Sequence, residues 1–370
     1  MSMVRKLVLT FALLLAALPP AGAAADIPRG FIGLSPQNPA KASDYGLMRE
    51  AGVTSVRLPL YWIGVQSKSP YLADPEWRGF DREVAIAARA EIRIMPFVYA
   101  TPSWAASEPI QLPVETPLQR WGWVSFLRAA VDRYGADGEF WEEHPELPYL
   151  PVKRWEIWNE QNIVSFANEQ NPAKFAMLLR MSGRVLRRAD PGAEAIIGGF
   201  FGRPLQVPPN TAAADYLDRI YKAGNVKRWF DGVGLHPYVA KANAMGWQMR
   251  ALRRVMRAHG DARKPIYVTE LGWGSSPGPT RWERGLGGQA RELDRAFSLL
   301  SANRQRWKVR GVWWFTWSDE GGSCSFCSSA GLLTADRKAK PSWYRFNRWT
   351  GGDASAIARL GSTGPGVAGG

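Results

Sequence analysis

The chain has 370 residues, of which 46% are hydrophobic and 22% charged, with a formal net charge of +14. That balance suits a folded protein with a sizeable core and excludes a disordered or collagen-like polymer. The positive charge is scattered and no nucleic-acid module signature is visible, so a nucleic-acid partner is not expected, while weak attraction to acidic envelope polymers is.

At the start, Arg5 and Lys6 precede the apolar run LVLTFALLLAALPP, and small residues from Ala21 to Ala25 follow. A charged beginning, a short apolar middle and an A-x-A-like end are the parts of a secretory signal, and the run is short for a membrane span. Residues 1–25 are expected to be a signal peptide cleaved near Ala23 to Ala25. The mature protein is then secreted or held in the cell envelope, with no stable membrane insertion; an uncleaved anchor is the alternative.

From Phe31 onward, short apolar runs alternate with amphipathic stretches. The runs are FIGLS from Phe31, VTSVRLPL from Val53, IRIMPFVY from Ile92, KRWEIWN from Lys153, EAIIGGF from Glu194, FDGVGLHPY from Phe230, PIYVTELGW from Pro265 and GVWWFTW from Gly311. Most are continuously apolar, as strands buried on both faces of a parallel sheet must be. Between them, Asn171-Pro172 opens a helix with proline at its first position. Phe175, Leu178, Leu179, Val185 and Leu186 share one face, and Asp190-Pro191-Gly192 stops it. Leu293, Ala296, Phe297 and Leu300 mark another helix. Strands alternating with helices predict the α/β class, here a (β/α)8 TIM barrel filling residues 26–350 as a single domain. A doubly wound open sheet is the other arrangement, but no glycine-rich nucleotide fingerprint follows the first strand. Residues 351–370 are expected to form a flexible C-terminal tail.

The longest insertion follows the third strand. It holds a helix around Trp121 to Tyr134, then a loop from Gly135 to Pro151 that is expected to shape the leaving-group side of a site. The cysteines, Cys324 and Cys327, lie in GGSCSFCSS and are expected to form a short-loop disulfide in an exported protein. A zinc site would need two more ligands, and His144, His236 and His259 are all distant in sequence, so neither metal nor cofactor is expected. Gly274-Ser275-Ser276-Pro277-Gly278 matches the serine-hydrolase elbow pattern. Pro277, however, stands where that elbow needs an N–H for the oxyanion, so the match is discounted.

A barrel gathers its functional groups where strands end. Arg57 lies in the second strand and Trp104 follows the third. Asn159 and Glu160 end the fourth, His236 and Tyr238 the sixth, Glu270 the seventh, and Trp317 the eighth. A buried strand gains nothing by ending on Glu160 unless that carboxylate has work and a partner. Glu270, across the mouth, is the expected partner. Two carboxyl groups roughly 5–5.5 Å apart can split a glycosidic bond by double displacement, one as nucleophile and one as acid/base. Arg57 and Tyr238 are expected to keep Glu270 ionised, Asn159 to bond the sugar 2-hydroxyl, and Trp317 to form the floor under the ring.

Trp158-Asn159-Glu160, His236-Pro237-Tyr238, Thr269-Glu270 and Trp317 together resemble the signature of clan A retaining glycoside hydrolases on (β/α)8 barrels. The WEIWNEQN and TELGW contexts are most similar to glycoside hydrolase family 39, whose relatives include bacterial exopolysaccharide-cleaving endoglycosidases, and next to family 5. The matches run from Arg57 to Trp317. The resemblance implies a glycosidase with Glu160 as acid/base and Glu270 as nucleophile, acting on a poly- or oligosaccharide. It implies substrate contacts from Arg57, Trp104, Asn159, His236, Tyr238 and Trp317. One departure is Gln161, where relatives usually carry proline. Two rival readings keep the barrel: a non-catalytic polysaccharide-binding or envelope-assembly protein, and a transglycosylase using the same carboxylates.

Overall fold

Eight parallel strands hydrogen-bond in sequence order and the last returns to the first, closing a barrel. The strands are β1 (Ile32–Leu34), β2 (Ser55–Tyr61), β3 (Arg93–Tyr99), β4 (Arg154–Ile157), β5 (Glu194–Phe201), β6 (Gly232–His236), β7 (Ile266–Leu271) and β8 (Val309–Trp314). Each coincides with one of the apolar runs. The computed structural model describes residues 27–360 apart from Gln37, Pro39, Pro279 and Ser323; the expected signal, residues 1–25, lies outside them. No helix among the described residues is long and apolar enough to cross a membrane.

The helices behind the strands form for local reasons. Pro172–Ala189 starts where the Asn171 side chain accepts from the Ala173 and Lys174 amides, and Leu178, Leu179 and Leu186 are buried on its inner face. Pro117–Tyr134 has a capping box in which Thr116 and Gln119 satisfy each other's amides. Removing such a cap costs about 1 kcal/mol. The shell between these helices and the strands is the main apolar core.

Inside the barrel the filling changes with height. Near the strand beginnings Met95, Ile196, Tyr267 and Trp313 form a separate apolar layer. β1 contributes only Gly33 there, because a side chain on it would come 2.6 Å from Trp313 Nε1. On the next level, Arg57 of β2 and Glu156 of β4 point inward instead, both fully buried. The barrel is thus sealed by an aromatic layer below and carries buried charge above it.

Two expectations are corrected. The loop from Gly135 to Pro151 does not border the carboxyl ends. It joins a helix to the start of β4, so it lies at the amino end, where Pro148, Leu150 and Pro151 line hollows beside Arg29 and Arg93. The tail expected from 351 is not free at its beginning. Ala354–Ala356 and Ile357–Leu360 are helical turns, Ala356 is buried, and Trp343 Nε1 donates to the Ala354 carbonyl at 2.9 Å. Residues 361–370 lie outside the described range.

Candidate active site

Arg57 organises the carboxyl end of the barrel. Its Nε donates to Glu156 at 2.5 Å, and its two terminal nitrogens donate to Glu270 and to Asn159 Oδ1, each at 2.7 Å. Its guanidinium also lies over the Phe97 ring, 4.0 Å from the centroid. Burial opposes the Arg57 charge, but Glu156 and Glu270 outweigh it and raise its pKa. Because Asn159 turns its oxygen to Arg57, its amide nitrogen faces the cleft without a protein acceptor among the described residues.

Glu270 ends β7. One carboxylate oxygen accepts from Arg57 and the other from the Tyr238 hydroxyl at 2.9 Å. Burial pushes its pKa up, while Arg57 and Tyr238 pull it back. Tyr238 is held protonated by its own burial and by the Glu270 charge, so it remains a donor.

Glu160 has no such cationic partner. Burial, then the Glu270 charge, push its pKa well above the ordinary carboxylate range. Its Oε1 lies 2.6 Å from His236 Nδ1. Burial and the Arg57 charge hold His236 well below its usual pKa, so the imidazole is neutral. His236 Nε2 lies 3.0 Å from Thr269 Oγ1, which donates to Glu156 at 3.1 Å. A threonine hydroxyl has one proton. With that proton on Glu156, Thr269 must accept from His236 Nε2–H. Nδ1 is then a lone pair, and the contact with Glu160 requires the proton to sit on Glu160. The same heavy atoms thus point to the state that burial favours. One oxygen of Glu160, one of Glu270 and His236 Nδ1 all lie within 4.8 Å of one another.

Three such groups are also the minimum for a metal ion. Here both Glu270 oxygens accept from protein donors, Nδ1 is engaged with Glu160, and the Arg57 cation is beside them. The side chains fit a protein-organised carboxylate pair rather than a metal site.

The backbone here is unusual. Trp158 has φ 73° and Glu160 φ 42°, conformations that cost non-glycine residues on the order of 1–3 kcal/mol. They are held by the Trp158 amide on Val98, the Trp158 indole on Phe166 and the Glu160 amide on Gly199. Gly199 is needed because any Cβ there would collide with His236 Nε2, and its N–H donates to Glu156 at 2.5 Å. Gln161, the departure from the family pattern, is fully buried and donates to the Gly198 carbonyl at 3.1 Å.

The cleft is about 390 Å³ and is walled largely by aromatic rings, among them Tyr61, Tyr99, Phe166, Trp282 and Phe315. The disulfide joins Cys324 and Cys327 on its rim, with Cα atoms 5.2 Å apart. Between them Phe326 projects onto Tyr238, ring centroids 5.4 Å apart.

Arg57, Asn159, Glu160, Tyr238 and Glu270 therefore meet in one cleft, with His236 directly behind Glu160. Three expected contacts do not line it: His236, which is fully buried, Trp317 and Trp104. Trp317 is buried outside the barrel mouth, its indole donating to Asp44 at 3.0 Å and its ring against Trp343. β8 ends at Trp314, so strand alternation no longer aims Trp317, and Phe315 lines the cleft instead. Trp104 donates to the Gln66 carbonyl and packs edge-on against Trp62, behind the wall. Glu156 escaped the sequence reading. A charge in the middle of an otherwise apolar strand was the available signal, since it must be paired to be buried.

No family model and no curated protein matches this chain. Solved structures do. A family 39 glycoside hydrolase from the gut symbiont Bacteroides cellulosilyticus WH2 matches at TM-score 0.65 and 23% identity, over 86% of this chain and 63% of that one. The GH39 enzyme of Xanthomonas axonopodis pv. citri matches at 0.61 and 19%, over 86% and 66%. A monomeric β-xylosidase from Caulobacter crescentus CB15 matches at 0.58 and 18%, over 86% and 67%. The chain thus spans about two thirds of the length of these proteins, and the likeness is one of fold: the (β/α)8 barrel that clan A glycoside hydrolases use.

Proposed function

We propose that the chain is an exported, retaining O-glycoside hydrolase acting on a poly- or oligosaccharide. The observation that carries this is the approach of one Glu160 oxygen to one Glu270 oxygen within 4.8 Å, in unlike surroundings. Inverting enzymes need roughly 6.5–9.5 Å between carboxyl groups to admit a water, retaining ones only roughly 5–5.5 Å. The fold shared with family 39 and family 5 enzymes supports the same reading. The signal-like start and the disulfide support export.

In this reading Glu270, held by Arg57 and Tyr238, attacks the anomeric carbon as the glycosidic C–O bond breaks. Glu160 gives its proton to the departing oxygen. Glu160, now a carboxylate, takes a proton from water. That water's oxygen attacks the same carbon and frees Glu270. The free Asn159 amide donates to the 2-hydroxyl, where a bond tightens as positive charge grows on the ring. The cleft aromatics offer flat apolar faces to the C–H faces of sugars, a role that falls to Phe315 rather than Trp317.

The test is labelling by a 2-deoxy-2-fluoro glycosyl fluoride of a sugar the protein cleaves. Mass spectrometry is expected to find the glycosyl group on the peptide carrying Glu270. Cleavage giving a product of inverted anomeric configuration, with no labelled peptide, would refute the reading.

A further inference from the structure

At the opposite end of the barrel lies a second hollow of about 440 Å³, among the beginnings of β1, β2, β3, β4 and β8. Its lining includes Arg29, Arg93, Lys153, Arg154, Arg304 and Arg310, and no acidic residue. Arg154 is paired with Glu194 at 2.8 Å. The other five have no ion-pair or side-chain hydrogen-bond partner among the described residues. Elsewhere on this surface arginines do find carboxylates, as Arg49 does with Glu91 and Arg133 with Asp81.

We propose that this basin is a binding site for a segment of carboxylate-bearing polysaccharide, an anchor separate from the catalytic cleft. A hollow of this volume is in the range of organic-ligand pockets and is larger than one small oxyanion needs. Five unpaired cations around it match a ligand whose charges recur along its length. Of the apolar groups in its lining, Phe31, Ile94, Met95, Val309 and Trp313 are buried and only Pro28 is exposed, so it presents no large apolar wedge for lipid chains. The glycan assignment rests on the proposed glycosidase reading; the anionic character rests on the basin alone. The apolar layer of Met95, Ile196, Tyr267 and Trp313 lies between the two sites.

The experiment uses fluorescently labelled oligogalacturonate and the full mature chain, titrated at low and at physiological salt. Binding is expected for the wild type, and unchanged for Glu270→Gln, which removes any dependence on turnover. The triple variant Arg93→Ala/Lys153→Ala/Arg310→Ala is expected to weaken it at least tenfold. Arg188→Ala/Arg254→Ala/Arg291→Ala removes the same charge from exposed helix positions and is expected to weaken it less than twofold. Equal losses in the two triples would mean bulk charge only and would overturn the proposal. So would preference for a labelled oligonucleotide or for phosphatidylglycerol vesicles over the oligogalacturonate. Because binding is read without catalysis, a failure here leaves the glycosidase reading standing, and the reverse also holds.

Discussion

Arg93 pairs in register with Ser55, and Arg57 stands two residues further along that same strand. Over that short climb the treatment of positive charge reverses. Arg57 is fully buried, and all three of its nitrogens donate to Glu156, Asn159 and Glu270. Arg93 is exposed at the rim of the basin and donates to no side chain. A guanidinium in the barrel interior cannot persist unpaired, whereas one in water can. Paired buried charge fixes where neighbouring atoms sit and which of them carry protons. Unpaired exposed charge attracts anions without fixing the atoms around it. Substitutions at the carboxyl end should therefore change chemistry and folding, and those at the amino end should change binding alone.

The sharpest way to break that contrast is Glu270→Ala. Its expected cost is on the order of 10⁴-fold in kcat on an aryl glycoside the wild type cleaves. Activity within tenfold of wild type would remove Glu270 from the mechanism. Glu160→Gln should follow, losing about 10²–10⁴-fold in kcat/KM on substrates with poor leaving groups and much less in kcat/KM on dinitrophenyl glycosides, whose departure needs no proton. The wild-type rate should fall on both sides of an optimum, as the protonated Glu160 and the ionised Glu270 are lost in turn; Glu160→Gln should lack the alkaline fall. A full alkaline limb in that variant would assign the acid elsewhere.

Glu156→Gln tests the buried support beneath the pair. Leaving Arg57 without its 2.5 Å partner should destabilise the fold by about 3–5 kcal/mol, read from the urea midpoint. Arg57→Met/Glu156→Gln should recover part of that stability but not the activity, because Glu270 and Asn159 lose their shared donor.

A smaller effect comes from Glu160 itself. Its folded pKa is raised, so the folded chain binds that proton more tightly than the unfolded chain. The associated stability is present in full below the ordinary value of 4.5 and is lost as pH rises through the raised one. Glu160→Gln escapes the loss. It should match wild type near pH 4 and exceed it in alkali, by about 1.4 kcal/mol for each tenfold change in the proton's binding constant. Parallel stability curves for the two proteins would contradict the protonated buried state. Least of all, Arg93→Ala/Arg310→Ala should move the urea midpoint by no more than about 0.5 kcal/mol. A larger loss would mean the basin is structural.

Asn159, Glu160, Tyr238 and Glu270 were legible because each stands at or just past the end of an apolar strand, at a place where packing offers no reason for a polar group. Arg57, inside β2, was legible as a charge in an otherwise apolar strand, and all five converge on the cleft. Aromatic residues carry no comparable signal. Trp104, Trp317 and Phe315 are all apolar groups near a strand end, and only their rotation about the chain decides which faces the cleft. The misplaced Gly135–Pro151 loop has a different cause. Its order in the chain, after a helix and before β4, already assigned it to the amino end. Its length suggested function, and function suggested the wrong rim.

Periodicity was sufficient for the barrel, since strands buried on both faces must be apolar throughout and helices behind them must be apolar on one side. Residue type at the strand ends was sufficient for the two carboxylates. Their protonation was not readable in that way. It depends on Arg57 reaching one of them and not the other, on Thr269 having a single proton to give, and on the burial of both. Those are facts of distance between side chains up to 213 positions apart in the polymer, and only the closed barrel sets them.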